Sequence, residues 1–201
     1  MIYGTPAGSL AHGSFGTATR RAIGAAGENM TAAVINGFWA DAEVFHDLQV
    51  PGFSINVDHA VLAGNKLLII DSKTWKAGRY WSLGGSYFRG FQRSHTPSKA
   101  VAMARESYSL YLKPYGVEVV KPVVVLWTGS QAYSRRTYVN VKGEVTGVWA
   151  KHEARPIFHY HYPGAKVIPG NDLHERLRLF TRLNRRAPDP GAVEALRHQL
   201  Y

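Results

Sequence analysis

Between Gly27-Glu28 and Gly37-Phe38, the residues Met30, Ala33, Val34 and Phe38 recur at the spacing of one helical face, which predicts a first helix. Residues 42–50 (AEVFHDLQV) alternate instead. They predict a strand with Val44, His46, Leu48 and Val50 on one face and Glu43, Phe45, Asp47 and Gln49 on the other, stopped by Pro51-Gly52. Two apolar runs, 55–63 and 66–70, flank Gly64-Asn65, the composition that supplies positive φ in a primed two-residue hairpin turn. The stretch 75–91, rich in Gly, Trp and Tyr, predicts one or two further strands. Pro97 opens a helix to about Lys113, with Val101, Ala104, Tyr108 and Tyr111 or Leu112 as its buried stripe. Residues 117–127 (VEVVKPVVVLW) read as a strand covered on both faces beside the hairpin, with Pro122 at an edge or a bulge. A hairpin around Lys142-Gly143 within 138–149, a strand over 156–162 and helices over 171–183 and 190–200 complete the pattern. Residues 1–24 lack periodicity and are expected to form a flexible segment. That leaves one domain over 25–201, with a core at 25–127 and further strands and helices at 128–201.

The hairpin carries the candidate chemistry. With Gly64 and Asn65 as the turn, Ala63 pairs with Lys66, Val61 with Leu68, and Asp58 with Asp71; Lys73 shares the face of Asp71, and Asn56 lies opposite that lysine. Directly opposed side chains have Cβ atoms about 4.5–5.5 Å apart, and two like charges there are destabilising without compensation. The neighbours Val57, Val61, Ile69 and Ile70 are candidates for burial, so the pair is expected to share a proton or hold a divalent ion. Hard oxygen ligands favour Mg²⁺ or Mn²⁺. Such an ion can polarise a phosphoryl oxygen and acidify a water, while a lysine orients that water or offsets developing charge. A lone D-x-K is common by chance, and its ordinary reading is a polar strand end. The opposed Asp58 and the charge balance move the choice toward function.

That balance is 24 Lys plus Arg against 14 Asp plus Glu, a formal +10, which favours a polyanionic partner. The absence of cysteine excludes disulfide scaffolds, thiol nucleophiles and Cys metal sites, and suits a reducing cytosol. No basic region precedes an apolar run at the N-terminus, and no window approaches the roughly 20 apolar residues of a membrane helix. A cytoplasmic protein without membrane attachment is expected.

Gly27-Glu28 on a helix, followed by VDHAVLAGNKLLIIDSKTWKAG from Val57 to Gly78, resembles the nuclease-related domain (NERD) family of the PD-(D/E)xK, restriction-endonuclease-like superfamily. The resemblance covers roughly residues 24–127. It implies an α/β fold with a mixed central β-sheet flanked by helices. It also implies a metal-dependent nuclease acting on DNA, with Asp58 and Asp71 as metal ligands, Glu28 as a helix-borne acid near the metal, and Lys73 as the catalytic lysine. From spacing alone, Glu28 reads equally as a first-turn acid favoured by the helix dipole. Many members carry a glutamine in the helix after the core motif. Residues 96–100 (TPSKA) have none, Gln92 lies earlier, and Lys99 is the residue placed to contact phosphate instead. The departure keeps open a non-catalytic nucleic-acid-binding module on the same fold.

Expected DNA contacts are Lys76, Lys99, Arg135 and Arg136, with Lys142 and the series Arg176, Arg178, Arg182, Arg185, Arg186 and Arg197 read either as phosphate contacts or as solvated surface. Trp75, Tyr80, Trp81 and Tyr87 read first as core and second as surfaces for stacked bases. His159 and His161 have the spacing of two zinc ligands on a strand, but no third is evident. No nucleophile elbow or phosphate-binding glycine loop occurs. A homodimer is left open, since a symmetric pair eases double-strand cleavage by a single-site enzyme.

Overall fold

Gly64 takes a positive φ of 58° and Asn65 does not, the pattern of a type II′ turn, in which only the first central residue needs it. The turn joins β3 (Asn56–Ala63) to β4 (Lys66–Trp75) in the predicted register, from Ala63↔Lys66 to His59↔Ile70. The computed structural model describes residues 1–8, 18–75, 79–94, 96–128, 138–141, 144–146 and 162–200. The other strands are β1 (Ile2–Tyr3), β2 (Glu43–Gln49), β5 (Arg79–Leu83), β6 (Ser86–Arg89), β7 (Gln92–Ser94), β8 (Glu118–Val119), β9 (Val123–Thr128), β10 (Tyr138–Val141), β11 (Glu144–Thr146) and β12 (Lys166–Pro169). The helices are α1 (Ala18–Asn36), α2 (Ala100–Tyr111), α3 (Leu173–Leu183) and α4 (Pro190–Arg197). The main sheet runs β1-β2-β3-β4-β9-β12, with β8 also on β4, and the second runs β11-β10-β5-β6-β7.

The main sheet is mixed. β2, β3 and β4 are antiparallel neighbours, whereas β9 pairs parallel with both β4 and β12. Its strands are apolar on both faces because both are covered. Phe45, Leu48, Ala60, Leu67 and Ile69 pack with Tyr108 and Leu112 of the α2 region and with Ala192 and Leu196 on α4. Val44, Val61, Leu68, Ile70 and Val123 pack with Ile35 of α1 and with Leu173 and Leu177 of α3. The predicted stripe of α2 is buried, with Leu112 as its last member. A third cluster joins Tyr80 and Tyr87 of the second sheet to Val124, Leu126 and Val167. This α/β layering, a mixed sheet flanked by helices, is the fold class that the family resemblance implies. Among the described residues, no helix is long and apolar enough to cross a membrane.

Several elements differ from the sequence pattern. Residues 2–3 and 18–24, expected to be flexible, form β1 and the first turns of α1: two residues pairing with β2 give no periodic signal, and the apolar stripe of α1 begins only near Met30. Residues 117–127 divide into β8 and β9, because Pro122 lacks the N–H a continuous ladder needs. Residues 75–91 hold two strands, β5 and β6, as expected, and a third, β7, follows at 92–94. β12 is too short to show a pattern and is buried by pairing with β9. In β2 the alternation changes hands at Asp47, whose φ is 55°. Phe45, Leu48 and Val50 therefore share one cluster while Val44 lies in the other, which corrects the expected grouping of Val44 with Leu48 and Val50. Most of the strand expected at 156–162, with His159 and His161, lies outside the described residues, as do Lys142 and Gly143 between β10 and β11.

Candidate active site

On β4, Leu67 and Ile69 face the α2 layer, and the same parity carries Asp71 and Lys73 past the end of the hairpin ladder. Lys73 Nζ donates to Asp71 Oδ1 at 2.8 Å and stands 2.7 Å from Oδ2. Asp58 Oδ2 accepts the backbone N–H of Ser72 at 2.6 Å. The three charged groups expected together are together. Asn56 is not opposite Lys73, however: it pairs with Gln49, and its Nδ2 donates to Asp47 Oδ1 at 2.8 Å. The β2–β3 ladder skips Asp47 and Asp58, so the strands part where the acids gather.

The other face of β4 fixes α1. Thr31 Oγ1 receives Ser72 Oγ–H and Trp127 Nε1–H, both at 2.7 Å, and donates to the Gly27 carbonyl at 3.1 Å. Gly27 lets the helix come this close, since a Cβ there would collide with Thr74 Oγ1. The contact brings Glu28, buried among polar neighbours, into electrostatic reach of Lys73 and Asp71. Thr31→Val would keep the shape and leave Ser72 and Trp127 without their acceptor. It is expected to cost about 2–4 kcal/mol in a urea unfolding experiment; a cost within the scatter of surface substitutions would remove Thr31 as the anchor.

Burial and the neighbouring Asp71 push the Asp58 carboxyl well above its ordinary range, against the pull of Lys73 and of the Ser72 N–H. Burial and Asp47 push Glu28 up to about 7, opposed by Lys73 and by the backbone N–H of Ala7. Burial alone would discharge Lys73, but Asp71 and Asp58 outweigh it and hold the ammonium more firmly protonated than a free lysine. The centre is acid-rich, short of positive charge, and contains a fixed cation that cannot serve as a base.

Ala7 and Asp47 are the two non-glycine residues with positive φ among those described, at 58° and 55°, and both act on Glu28. Such strain persists only where surrounding structure holds it. Sequence reasoning missed both, because neither is a residue type that announces a left-handed backbone. It also missed Tyr162, which is buried and senses Asp71, Lys73 and Asp58; burial and Asp71 push its phenol up to about 12, so the O–H keeps its proton. Thr31, Ser72 and Trp127 carried no signal either, since their roles are contacts between distant segments.

Lys99 is exposed at the N-cap of α2. Lys76, Arg135 and Arg136 lie outside the described residues. Arg178 pairs with Glu175 and Arg197 with Glu194 on their own helices, as a solvated face would. Tyr80 and Tyr87 are core, and Trp75 packs against Tyr80 with 4.6 Å between ring centres and the planes tilted by 40°.

Among the described residues, no three His, Asp or Glu side chains stand close enough to hold a metal ion as a group. Glu28, expected as a third ligand, rises from the helix beneath the opposite face of β4 and does not complete one. Asp58 and Asp71 nevertheless suit a hard divalent cation. Asp71 Oδ2 is buried with only the Lys73 ammonium named beside it, at 2.7 Å, Asp58 is short of positive charge, and Mg²⁺ commonly takes one or two carboxylates and keeps its waters.

No curated protein and no solved structure matches the chain. The family model described as nuclease-related domain matches residues 23–127, more than half the chain and a span that contains Glu28, Asp58, Asp71, Lys73 and Trp127. With its mixed sheet, its flanking helices and its acids and lysine gathered where the hairpin strands part, the chain belongs to the nuclease-related domain family, whose fold is restriction-endonuclease-like.

Proposed function

We propose that this protein is a nuclease that hydrolyses DNA phosphodiester bonds with the help of Mg²⁺ or Mn²⁺. The observation that carries the reading is the pairing of Lys73 with Asp71 beside an Asp58 that lacks a full counter-charge. Asp58 and Asp71 are the residues to hold the ion, with Glu28 supporting the field around them. When bound, the ion supplies Lewis acidity and a more acidic water. Lys73, already protonated, donates: it orients the attacking water and offsets charge gathering on the phosphate oxygens. Glu28, with a carboxyl near neutrality, can hold or release a proton at the edge of the site. Lys99, Lys76, Arg135 and Arg136 are proposed phosphate contacts, in keeping with the formal charge of +10. A homodimer would supply two sites to a duplex.

The test is incubation of the purified protein with linear duplex, circular single-stranded and branched DNA in Mg²⁺, Mn²⁺ or EDTA, beside Asp71→Ala and Lys73→Ala. Cutting that needs metal and is lost in both variants is the expected result. Salt-sensitive binding without cutting by the wild type would favour the non-catalytic module, the reading motivated by the missing helix glutamine.

A further inference from the structure

Cross-strand register sorts the second sheet into two faces. Tyr80, Ser82, Tyr87, Arg89, Gln92 and Ser94 share one, and its tyrosines pack beside Val124 and Leu126, the β9 partners of Asp71 and Lys73. Trp81, Leu83, Ser86, Phe88 and Arg93 share the other. There the rings of Trp81 and Phe88 stack at 4.2 Å with planes 12° apart, both half-buried, and Trp81 Nε1 ties to the Gly90 carbonyl at 2.7 Å. Phe91, at the tip of the β6–β7 hairpin, is fully exposed at 101%, and Leu83 at the other end is 53% exposed. Phe91 and Leu83 thus add exposed apolar surface to the stacked pair on one small sheet, and apolar surface gathered in this way, unlike a single exposed ring, marks a binding site.

Charge decides which one. From Ser72 to Arg105 the chain contains no acidic residue, while Lys73, Lys76, Arg79, Arg89, Arg93, Lys99 and Arg105 are basic. Arg93 is exposed and lies directly across from Phe88 on the aromatic face. A second copy of this face would bring no opposite charge to pair, whereas a polyanion with flat apolar faces meets both features. We infer that the Trp81–Phe88 face with Arg93, together with Phe91 at the adjoining hairpin tip, is a stacking platform for single-stranded DNA, placed on the far side of the sheet whose inner face packs next to Asp71 and Lys73. The inference rests on the nuclease reading of that centre and adds to it the form of nucleic acid the protein grips. Duplex DNA keeps its bases stacked on one another and offers the platform only its phosphates.

Binding of fluorescent oligothymidylate and of a blunt duplex, by anisotropy in EDTA, separates the possibilities. It is done in the Lys73→Ala background, with Phe91→Ala, Arg93→Gln and Trp81→Leu added singly. Phe91→Ala removes a ring that supports nothing in the fold, so it guards against a folding artefact at Trp81. The expected result is a loss of single-strand affinity of roughly fivefold to a hundredfold for Phe91→Ala and Trp81→Leu, with duplex binding changed less than about twofold. Equal single-strand affinity in all variants overturns the platform, as does a Phe91→Ala effect confined to self-association on a sizing column. Cleavage by the protein with native Lys73 in Mg²⁺ is scored separately, so loss of the nuclease reading and loss of the platform give different outcomes.

Discussion

Lys73→Met and Asp58→Asn should both slow DNA cleavage about 10²–10³-fold, yet shift the stability of the metal-free protein in opposite directions. The activity loss follows from removing a positioned cation or a proposed metal ligand, either of which is worth a hundredfold to a thousandfold at a site of developing charge. The opposite signs follow from the excess of acid. Lys73 is the cation set directly against Asp71, and its removal leaves the mutual repulsion of Asp71, Asp58 and Glu28 without that counter-charge. Its side chain is about a third exposed, 35%, so the cost is set below that of a fully buried pair, at about 1–3 kcal/mol. Asp58→Asn removes one of the crowded charges and keeps an oxygen to accept the Ser72 N–H, so it should leave the protein as stable as before or more so. Urea unfolding in EDTA checks the pair. Stabilisation by Lys73→Met, or strong destabilisation by Asp58→Asn, would mean that the centre is not acid-rich in the folded state.

Glu28→Gln should stabilise the metal-free protein by about 3 kcal/mol at pH 8 and hardly at all at pH 4.5. A carboxyl raised to about 7 from 4.5 holds its proton more tightly folded than unfolded, so stability falls as pH rises through that interval and levels off above it. Glutamine mimics the protonated form and escapes the loss. The buried histidines act with the opposite sign. His46 Nδ1 lies 2.8 Å from His59 Nδ1, and His46 Nε2 lies 2.9 Å from Asn36 Oδ1, a chain that cannot hold with both rings charged, since two N–H donors would then face one another. Burial pushes His46 down to about 4 and His59 down in the same direction, so their contribution is fully present above pH 6.5 and is lost as pH falls toward 4. For His46 alone this is about 3 kcal/mol. In the wild type the two slopes oppose one another between pH 4.5 and 6.5 and flatten the profile. In Glu28→Gln the opposing carboxyl slope is gone, so this variant should lose more stability on acidification than the wild type does. Denaturant midpoints at several pH values measure both curves; a constant offset between them would mean that Glu28 titrates like a free carboxylate.

The hairpin, its register and the convergence of Asp58, Asp71 and Lys73 were legible from residue types alone, because a two-residue turn and a period of two leave little freedom. So was the buried stripe of α2, for the same reason of local periodicity. The sequence also carried Glu28 as a candidate, but only through resemblance to a family. What it did not contain was the left-handed Asp47 that reverses the alternation of β2, nor the division of 117–127 between β8 and β9. Tertiary structure alone decided that Thr31 ties α1 to Ser72 and Trp127, that Ala7 reaches Glu28, and that Tyr162 comes beside Asp71. It also decided that Trp81 turns away from the core that holds Tyr80. Each of these joins residues far apart in the chain or depends on which face of a sheet is covered. Local propensity determines an element and its two faces, whereas only the packed whole determines what each face meets.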